Sequence, residues 1–318
     1  MFFSLFAFAA VPILLLVGYF LGSLSSVADE RVEEQYHSLN RNGDDKIAII
    51  SVEGTILEGD GFVKRQIDRV KKDDDVKAII VRVDSPGGTV TGSDYIYHHL
   101  SDLREESGLP LVVSMGGIAA SGGYYVSMAV GDTPDSIFAE PTTWTGSIGV
   151  IIPHYNVAGL MERFDIESDS IASHRLKGMG SITKKMTDEE REIFQGLVDE
   201  SFTRFKEVIK SGRPKFRQDE TALDKLATGQ VFTTKQAIDG GLVDKEGFIE
   251  EAIDRAIELA KLDRDDVKVV KYKEPLDLGT LLLGAQSKQQ GLDLGSLLDL
   301  ASPRAFYLYT LLPVLKLE

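Results

Sequence analysis

From Lys46 onward, short continuous apolar runs alternate with stretches whose apolar positions recur every three or four residues. The first pattern marks strands buried on both faces and the second marks amphipathic helices. Strands are expected at KIAIISVEG (46–54), VKAIIVRVDS (76–85) and LPLVVSM (109–115). Helices are expected at GFVKRQIDRVKKD (61–73), at SDYIYHHLSDLREES (93–107) with Ser93 as its cap, and at GGYYVSMAV (122–130). DSIFAEP and GSIGVIIP are further short apolar segments, followed by a helix near 156–164 and a strand near 166–171. A long helix occupies 187–212, where Thr187 and Glu190 have the spacing of a capping box. Shorter helices follow at 219–228 and 233–240, with a closing helix at 247–261. The alternation predicts an α/β protein: a largely parallel sheet covered on both faces by flanking helices.

The two ends break this pattern. Phe2 to Leu24 carries no charge, and as a helix it would span about 34 Å, enough for a bilayer core. Its length favours a retained transmembrane anchor over a cleaved signal peptide, for which Ser26-Val27-Ala28 would be the cleavage site. The acidic ADERVEE that follows, and the large domain behind it, place the bulk outside the cytoplasm. The expectation is a single-pass protein of the cell membrane. Residues 1–27 form the anchor, 28–45 a polar linker, 46–262 the folded domain and 263–318 a tail. Within the tail, LDLGTLLLGA (276–285) is echoed by LDLGSLLDLA (292–301), two copies being too few for a solenoid. Such a tail is either mobile or docked, or it is an apolar segment that engages a partner, the membrane or the protein's own cleft.

The net charge of −15 argues against nucleic acid or an anionic membrane surface as a partner. Cysteine is absent, so thiol nucleophiles and thiolate metal sites are excluded, and nothing in the pattern calls for a metal or a cofactor. The chemistry falls to oxygen, nitrogen and backbone groups.

Two glycine-bearing turns stand at the carboxyl ends of successive strands, where parallel sheets place their sites. Asp84-Ser85-Pro86-Gly87-Gly88 follows the second strand, and Gly116 to Gly123 follows the third. Taken alone, either turn is as readily tight packing as chemistry. Together on one edge, with Ser121 at a helix start, they suit backbone N–H groups facing a developing oxyanion. Neither a P-loop nor a G-x-S-x-G elbow is present. A serine nucleophile needs a base. His37, His98, His99, His154 and His174 lack any local pattern, and each reads as a solvated histidine. Lys177 stands among Leu176, Gly178, Met179 and Gly180 with no acidic neighbour. A lysine buried without a counter-ion serves as a base near neutrality.

VDSPGG (83–88), GGIAASGGYYVSMA (116–129), TGSIGV (145–150) and LKGMGS (176–181), in that order, resemble the signal peptide peptidase A family. These are membrane-anchored serine peptidases with the ClpP/crotonase type of fold, and the likeness covers roughly residues 46 to 255. The resemblance implies a Ser/Lys dyad, with Ser121 as nucleophile, Lys177 as general base and Ser147 as the hydroxyl orienting that lysine. It implies an oxyanion hole from the N–H groups of Gly88 and Gly122, with Gly87 in support. Because one copy of the domain is present, it also implies a homo-oligomeric ring in which a neighbouring subunit supplies the lysine to each serine. Expected substrates are apolar peptides such as remnant signal peptides, bound as an added strand, with small or leucine-like residues before the cut. Gly178 departs from the family, where an acidic residue commonly follows the lysine. Beyond about residue 270 the chain carries no family motif, and the tail is expected to enter the cleft and be trimmed. The competing readings are a crotonase-type acyl-CoA enzyme, which leaves Ser121 and Lys177 without a task, and a non-catalytic membrane scaffold.

Overall fold

The central strands carry apolar residues at odd and even positions alike, and the fold uses both sets. In β2 (Asp45–Glu53) and β3 (Val76–Ser85), Ala48, Ile50, Ile79 and Val81 pack to one side while Ile47, Ile49, Ala78 and Ile80 pack to the other. Successive strand side chains point to opposite faces, so each strand feeds two cores. One core receives α1 (Phe62–Lys71) through Ile67 and Val70, and α2 (Val90–Ser107) through Ile96, Leu100 and Leu103. The opposite core is closed by Ala252, Ile253, Ala256 and Ile257 of α8 (Ile249–Ala260).

The computed structural model describes residues 32–274 and 305–308. β2, β3 and β5 (Leu111–Ala120) run parallel at the centre of the main sheet. β10 (Val267–Lys273) extends it parallel to β2, and β1 (Glu33–Leu39) closes that edge antiparallel to β10. On the far side β6 (Ile137–Ala139) pairs with the first half of β5, and β9 (Lys245–Glu246) with β6. The second half of β5 instead pairs with β7 (Trp144–Gly146), which in turn pairs with β8 (Val231–Thr233). The remaining helices are α3 (Gly122–Ser127), α4 (Ala158–Arg163), α5 (Asp188–Gly212), α6 (Glu220–Leu226) and α7 (Thr234–Gly240). The expected mixed α/β architecture, mostly parallel with flanking helices, is present. α5 opens as predicted: Thr187 Oγ1 accepts from the Glu190 N–H at 3.2 Å, and the Thr187 N–H donates to Glu190 Oε2 at 3.0 Å.

Several expectations need correction. The stretches read as linker (28–45) and tail (263–318) each contribute a strand to the sheet, β1 and β10. Buried Lys46 fastens that edge, with Nζ 2.9 Å from Glu34 and 2.8 Å from Asp73. Burial works against the charge on Asp73, but the adjacent Lys46 ammonium outweighs it and holds the carboxyl below its ordinary range. Ser93 is not the cap of α2. The helix begins at Val90, Thr89 Oγ1 accepts from the Gly92 N–H at 3.0 Å, and Ser93 lies buried within, donating to the Thr89 carbonyl. No strand forms at 166–171; Ile166 and Ile171 are exposed, and no other strand is paired with them. Among the described residues no helix is long and apolar enough to cross a membrane. The expected span Phe2–Leu24 lies outside the described residues.

Candidate active site

β5 ends at Ala120 and α3 starts at Gly122, leaving Ser121 at the corner. Its backbone has φ +55° and ψ −113°, a left-handed conformation rare for a residue with a side chain. Such strain costs on the order of 1–3 kcal/mol and persists where the surroundings over-determine it. Here the Ser121 N–H donates to the Gly146 carbonyl at 2.7 Å, and the Ser121 carbonyl accepts from the Tyr125 N–H at 2.8 Å. Ser147, next along β7, is also buried with a positive φ of 51°, and its N–H donates to the Gln230 carbonyl at 2.7 Å. The register Ala120↔Gly146 sets the two strained serines at matching places on adjacent strands.

Beside this corner lies β4 (Gly87–Thr89), entered from β3 through Ser85-Pro86. Its Thr89 N–H donates to the Ile56 carbonyl at 2.7 Å, while the Val90 N–H donates to the Ala305 carbonyl at 3.2 Å on the opposite side. Strand N–H groups alternate in direction, so the Gly88 N–H points with Val90, away from Ile56. It faces Tyr307, its partner in the antiparallel pair of β4 with β11 (Phe306–Leu308). Gly87 has φ +94°, and a Cβ built there would stand 2.1 Å from the Tyr307 carbonyl oxygen and 2.5 Å from the Gly122 nitrogen. Only glycine lets that carbonyl and the first N–H of α3 converge. The Gly122 N–H opens its helix and has no partner within it. Gly122 itself packs so closely on Ser93 that a Cβ would lie 2.4 Å from Ser93 Oγ.

The cleft is therefore occupied by the chain's own C-terminal strand. β11 lies between β4 on one side and Ile151 on the other: the Phe306 N–H donates to Ile151 at 2.9 Å, and the Ile151 N–H to Phe306 at 3.1 Å. The expectation that the apolar tail enters the cleft holds for these residues; LDLGTLLLGA and LDLGSLLDLA lie outside the described residues.

Ser121, Gly87, Gly88, Gly122 and Ser147 are thus brought together. Lys177 is not among them. It lies in the 3-10 turn Arg175–Gly178, opened by His174, whose Nδ1 accepts from the Leu176 N–H. The Lys177 side chain is exposed and makes no hydrogen bond or ion pair with another described residue. No histidine is hydrogen-bonded to Ser121. His98 pairs with Asp102 at 3.2 Å, His99 packs edge-on to Tyr95, and His37 bonds Ser38. His98, His99 and Asp102 could together reach a metal ion, but they form a surface group on α2 whose contacts are ordinary ones.

Sequence reasoning did not single out the aromatic pocket beside Ser121. Tyr125, Phe205 and Tyr307 pack on one another, and the Tyr125 hydroxyl donates to Asp94, which Arg204 also binds at 3.1 Å. Burial first, and then the Asp94 carboxylate, push the Tyr125 phenol well above its ordinary range, so it stays a neutral donor. The tyrosine-bearing run GGYYVS was its one visible signal.

A buried, strained serine at a helix start, facing a cleft that holds an extended chain, is the arrangement of a hydrolase acting on polypeptide. The description of peptidase family S49 matches residues 104–263. The slr0021 protein of Synechocystis sp. is 36% identical over 248 residues, covering 77% of this chain and 85% of its own length. Protease 4 of Haemophilus influenzae is 33% identical over 232 residues, 70% of this chain but 36% of that protein. The chloroplastic serine protease SPPA of Arabidopsis thaliana is 31% identical over 274 residues, 81% of this chain and 39% of its own. The chain thus spans well under half of the latter two. It belongs to peptidase family S49, the signal peptide peptidase A family.

Proposed function

We propose that this protein is a membrane-anchored serine endopeptidase that hydrolyses apolar peptides with a Ser121/Lys177 dyad on a ClpP/crotonase-type fold. The reading rests on one observation above all: an extended strand lies antiparallel to β4 with a peptide carbonyl facing the Gly88 N–H, beside Ser121. In this reading Ser121 Oγ attacks that carbonyl, and the N–H groups of Gly88 and Gly122 bind the oxyanion, with Gly87 leaving room for it. Lys177 takes the serine proton, and Ser147 orients the lysine.

The lysine comes from a neighbouring subunit of a homo-oligomer. What supports this is the character of residues 151–186, in which Gly180 alone is buried. Ile151, Tyr155, Leu160, Phe164, Ile166 and Ile171 are all exposed there, an apolar surface suited to a second copy. Apolar substrates are supported by a groove of about 570 Å³ running past Ala305, with Leu57, Val90, Ile152, Phe194 and Leu197 in its wall. Phe2–Leu24 serves as the anchor in the cell membrane, with the catalytic domain outside the cytoplasm.

Mixing Ser121→Ala and Lys177→Ala proteins tests the dyad and its sharing together. Each alone is expected to be silent toward an apolar fluorogenic peptide while still assembled. Co-assembled in equal amounts, they should recover about a quarter of wild-type activity, the chance that an intact serine meets an intact lysine across a heterologous interface. No recovery from verified mixed assemblies would overturn the sharing. Activity in Lys177→Ala alone would remove the lysine from the mechanism, and activity in Ser121→Ala would overturn this reading of the site.

A further inference from the structure

Residues 151–186, the stretch that carries Lys177, have almost no buried frame of their own, yet the turn around the lysine is tied to α5 at two points. Upstream, Arg175 pairs with Glu189, its Nη2 donating to Oε1 at 2.6 Å. Downstream, Lys184 Nζ donates to Glu190 Oε1. The two acids are adjacent in the first turn of α5, so residues 175–184 form a loop with both ends on one helix start and Lys177 inside it. Resting on the Ser121/Lys177 reading, we propose that Glu190 is a positioning residue: through Lys184 it fixes the Lys177 turn to α5 and so presents the lysine to the neighbouring serine.

Three observations carry the assignment. The first is burial. Glu190 is 2% exposed, whereas Asp188 and Glu189 beside it are open to solvent. A carboxylate closed off from water is stable only when its oxygens are partnered. Oε2 accepts the Thr187 N–H at 3.0 Å and completes the capping box, while Oε1 takes Lys184. The cap uses one oxygen, so helix capping leaves the second contact unexplained. The Arg175–Glu189 pair lies in solvent and contributes little by itself, which makes Lys184–Glu190 the main tie.

The second is the stiffness of the loop. The Lys177 N–H donates to the His174 carbonyl at 2.9 Å and the Met179 N–H to the Leu176 carbonyl at 3.0 Å. Ser181 Oγ and Thr183 Oγ1 are hydrogen-bonded at 2.9 Å. A turn of fixed shape held at one point can swing; held at two, it follows the helix. The third is the anchorage of α5 itself. Phe205, Val208 and Ile209 in its second half are buried in the core. As a helix of 25 residues, α5 is about 37 Å long and holds its first turn well away from that anchor.

The test uses the assembled full chain and an apolar fluorogenic peptide. Glu190→Gln keeps an amide oxygen for the Thr187 N–H but loses the charge that holds Lys184. The expected result is a kcat lower by roughly 10- to 100-fold, the cost of a slightly misplaced group. KM should stay within about twofold, because substrate binding is untouched. Lys184→Met should behave alike, Lys184→Arg should retain most of the wild-type kcat, and Glu190→Gln with Lys184→Met should be no worse than either alone. Mixed assemblies locate the effect. Glu190→Gln on the Ser121→Ala chain, which donates the lysine, should remove most of the activity recovered with Lys177→Ala. On the Lys177→Ala chain, which supplies the serine, it should lower that recovery far less. Wild-type kcat in both Glu190→Gln and Lys184→Met, a rise in KM alone, equal loss in the two mixtures, or loss of assembly in both variants would overturn the proposal and leave the peptidase reading standing. A silent wild type, full activity in Lys177→Ala, or no recovery from the parent mixture would overturn the shared dyad and this proposal with it.

Discussion

The corner around Ser121 and the arm around Lys177 are built on opposite principles. At the corner every residue from Ala119 to Val130 is buried, and two serines are held at positive φ by short backbone hydrogen bonds. The arm, residues 151–186, buries only Gly180 and presents a series of large apolar side chains to solvent. In the proposed role of nucleophile, Ser121 needs a rigid frame, because a relaxed corner would turn the hydroxyl away. The arm needs no such frame within its own subunit if a neighbour supplies it, and its exposed apolar residues are what a neighbour would cover.

The largest test of this contrast is catalytic. Ser121→Ala should lower turnover of an apolar peptide by roughly 10⁴- to 10⁶-fold with no change in assembly size by sedimentation. A loss of assembly in that variant would instead make the corner a structural knot. The next test compares two phenylalanines. Phe205→Ala, in the core, should cost about 3–5 kcal/mol in chemical denaturation. Phe164→Ala, 69% exposed on the arm, should stay within about 0.5 kcal/mol for the isolated fold yet shift the proposed oligomer toward monomer. Equal destabilisation by both would erase the distinction between the regions.

Gly122→Ala forces a methyl against Ser93 Oγ at 2.4 Å and the Gly88 nitrogen at 3.1 Å. A loss of about 1–3 kcal/mol is expected, with Ser93→Ala in the same chain restoring part of the thermal midpoint. Ser147→Gly removes the side chain from a positive-φ site and should raise stability by up to about 1 kcal/mol while lowering turnover. A rise in both would deny Ser147 any part in orienting the base.

The smallest effect lies outside both regions and serves as their reference. The Asp73 carboxyl is held low, so its contribution is fully present above the ordinary carboxylate value of about 4. It is lost as pH falls through the lowered value. Thermal midpoints should drop in this acid window, and Asp73→Asn should flatten that part of the curve. An unchanged profile would mean the Glu34–Lys46–Asp73 group does not fasten the edge strand.

Much of the frame was readable along the chain, because a strand's period of two and a helix's of 3.6 are written in consecutive residues. The Thr187 capping box needed only residues three apart. Ser93 has a cap's composition but not its place, because a cap is set by which side chain reaches the first free N–H, and the extended Thr89 delivered by β4 reaches it first. The strand expected at 166–171 holds only Ile166 and Ile171 as β-branched residues among Ser, Asp and Glu, too little to hold a strand, and no other strand is paired with it.

By itself the sequence determined the alternation of the central strands with their helices, the two glycine turns at one sheet edge, and Ser121 at a helix start. All of these depend on neighbours along the chain. Only the tertiary structure decided that residues 33–39 pair with 267–273, that Ser121 and Ser147 stand side by side at positive φ, and that Tyr125, Phe205 and Tyr307 close one pocket. Those contacts join segments far apart in the chain, and no local pattern specifies them. Their geometry is set when burying both faces of the sheet brings distant segments together.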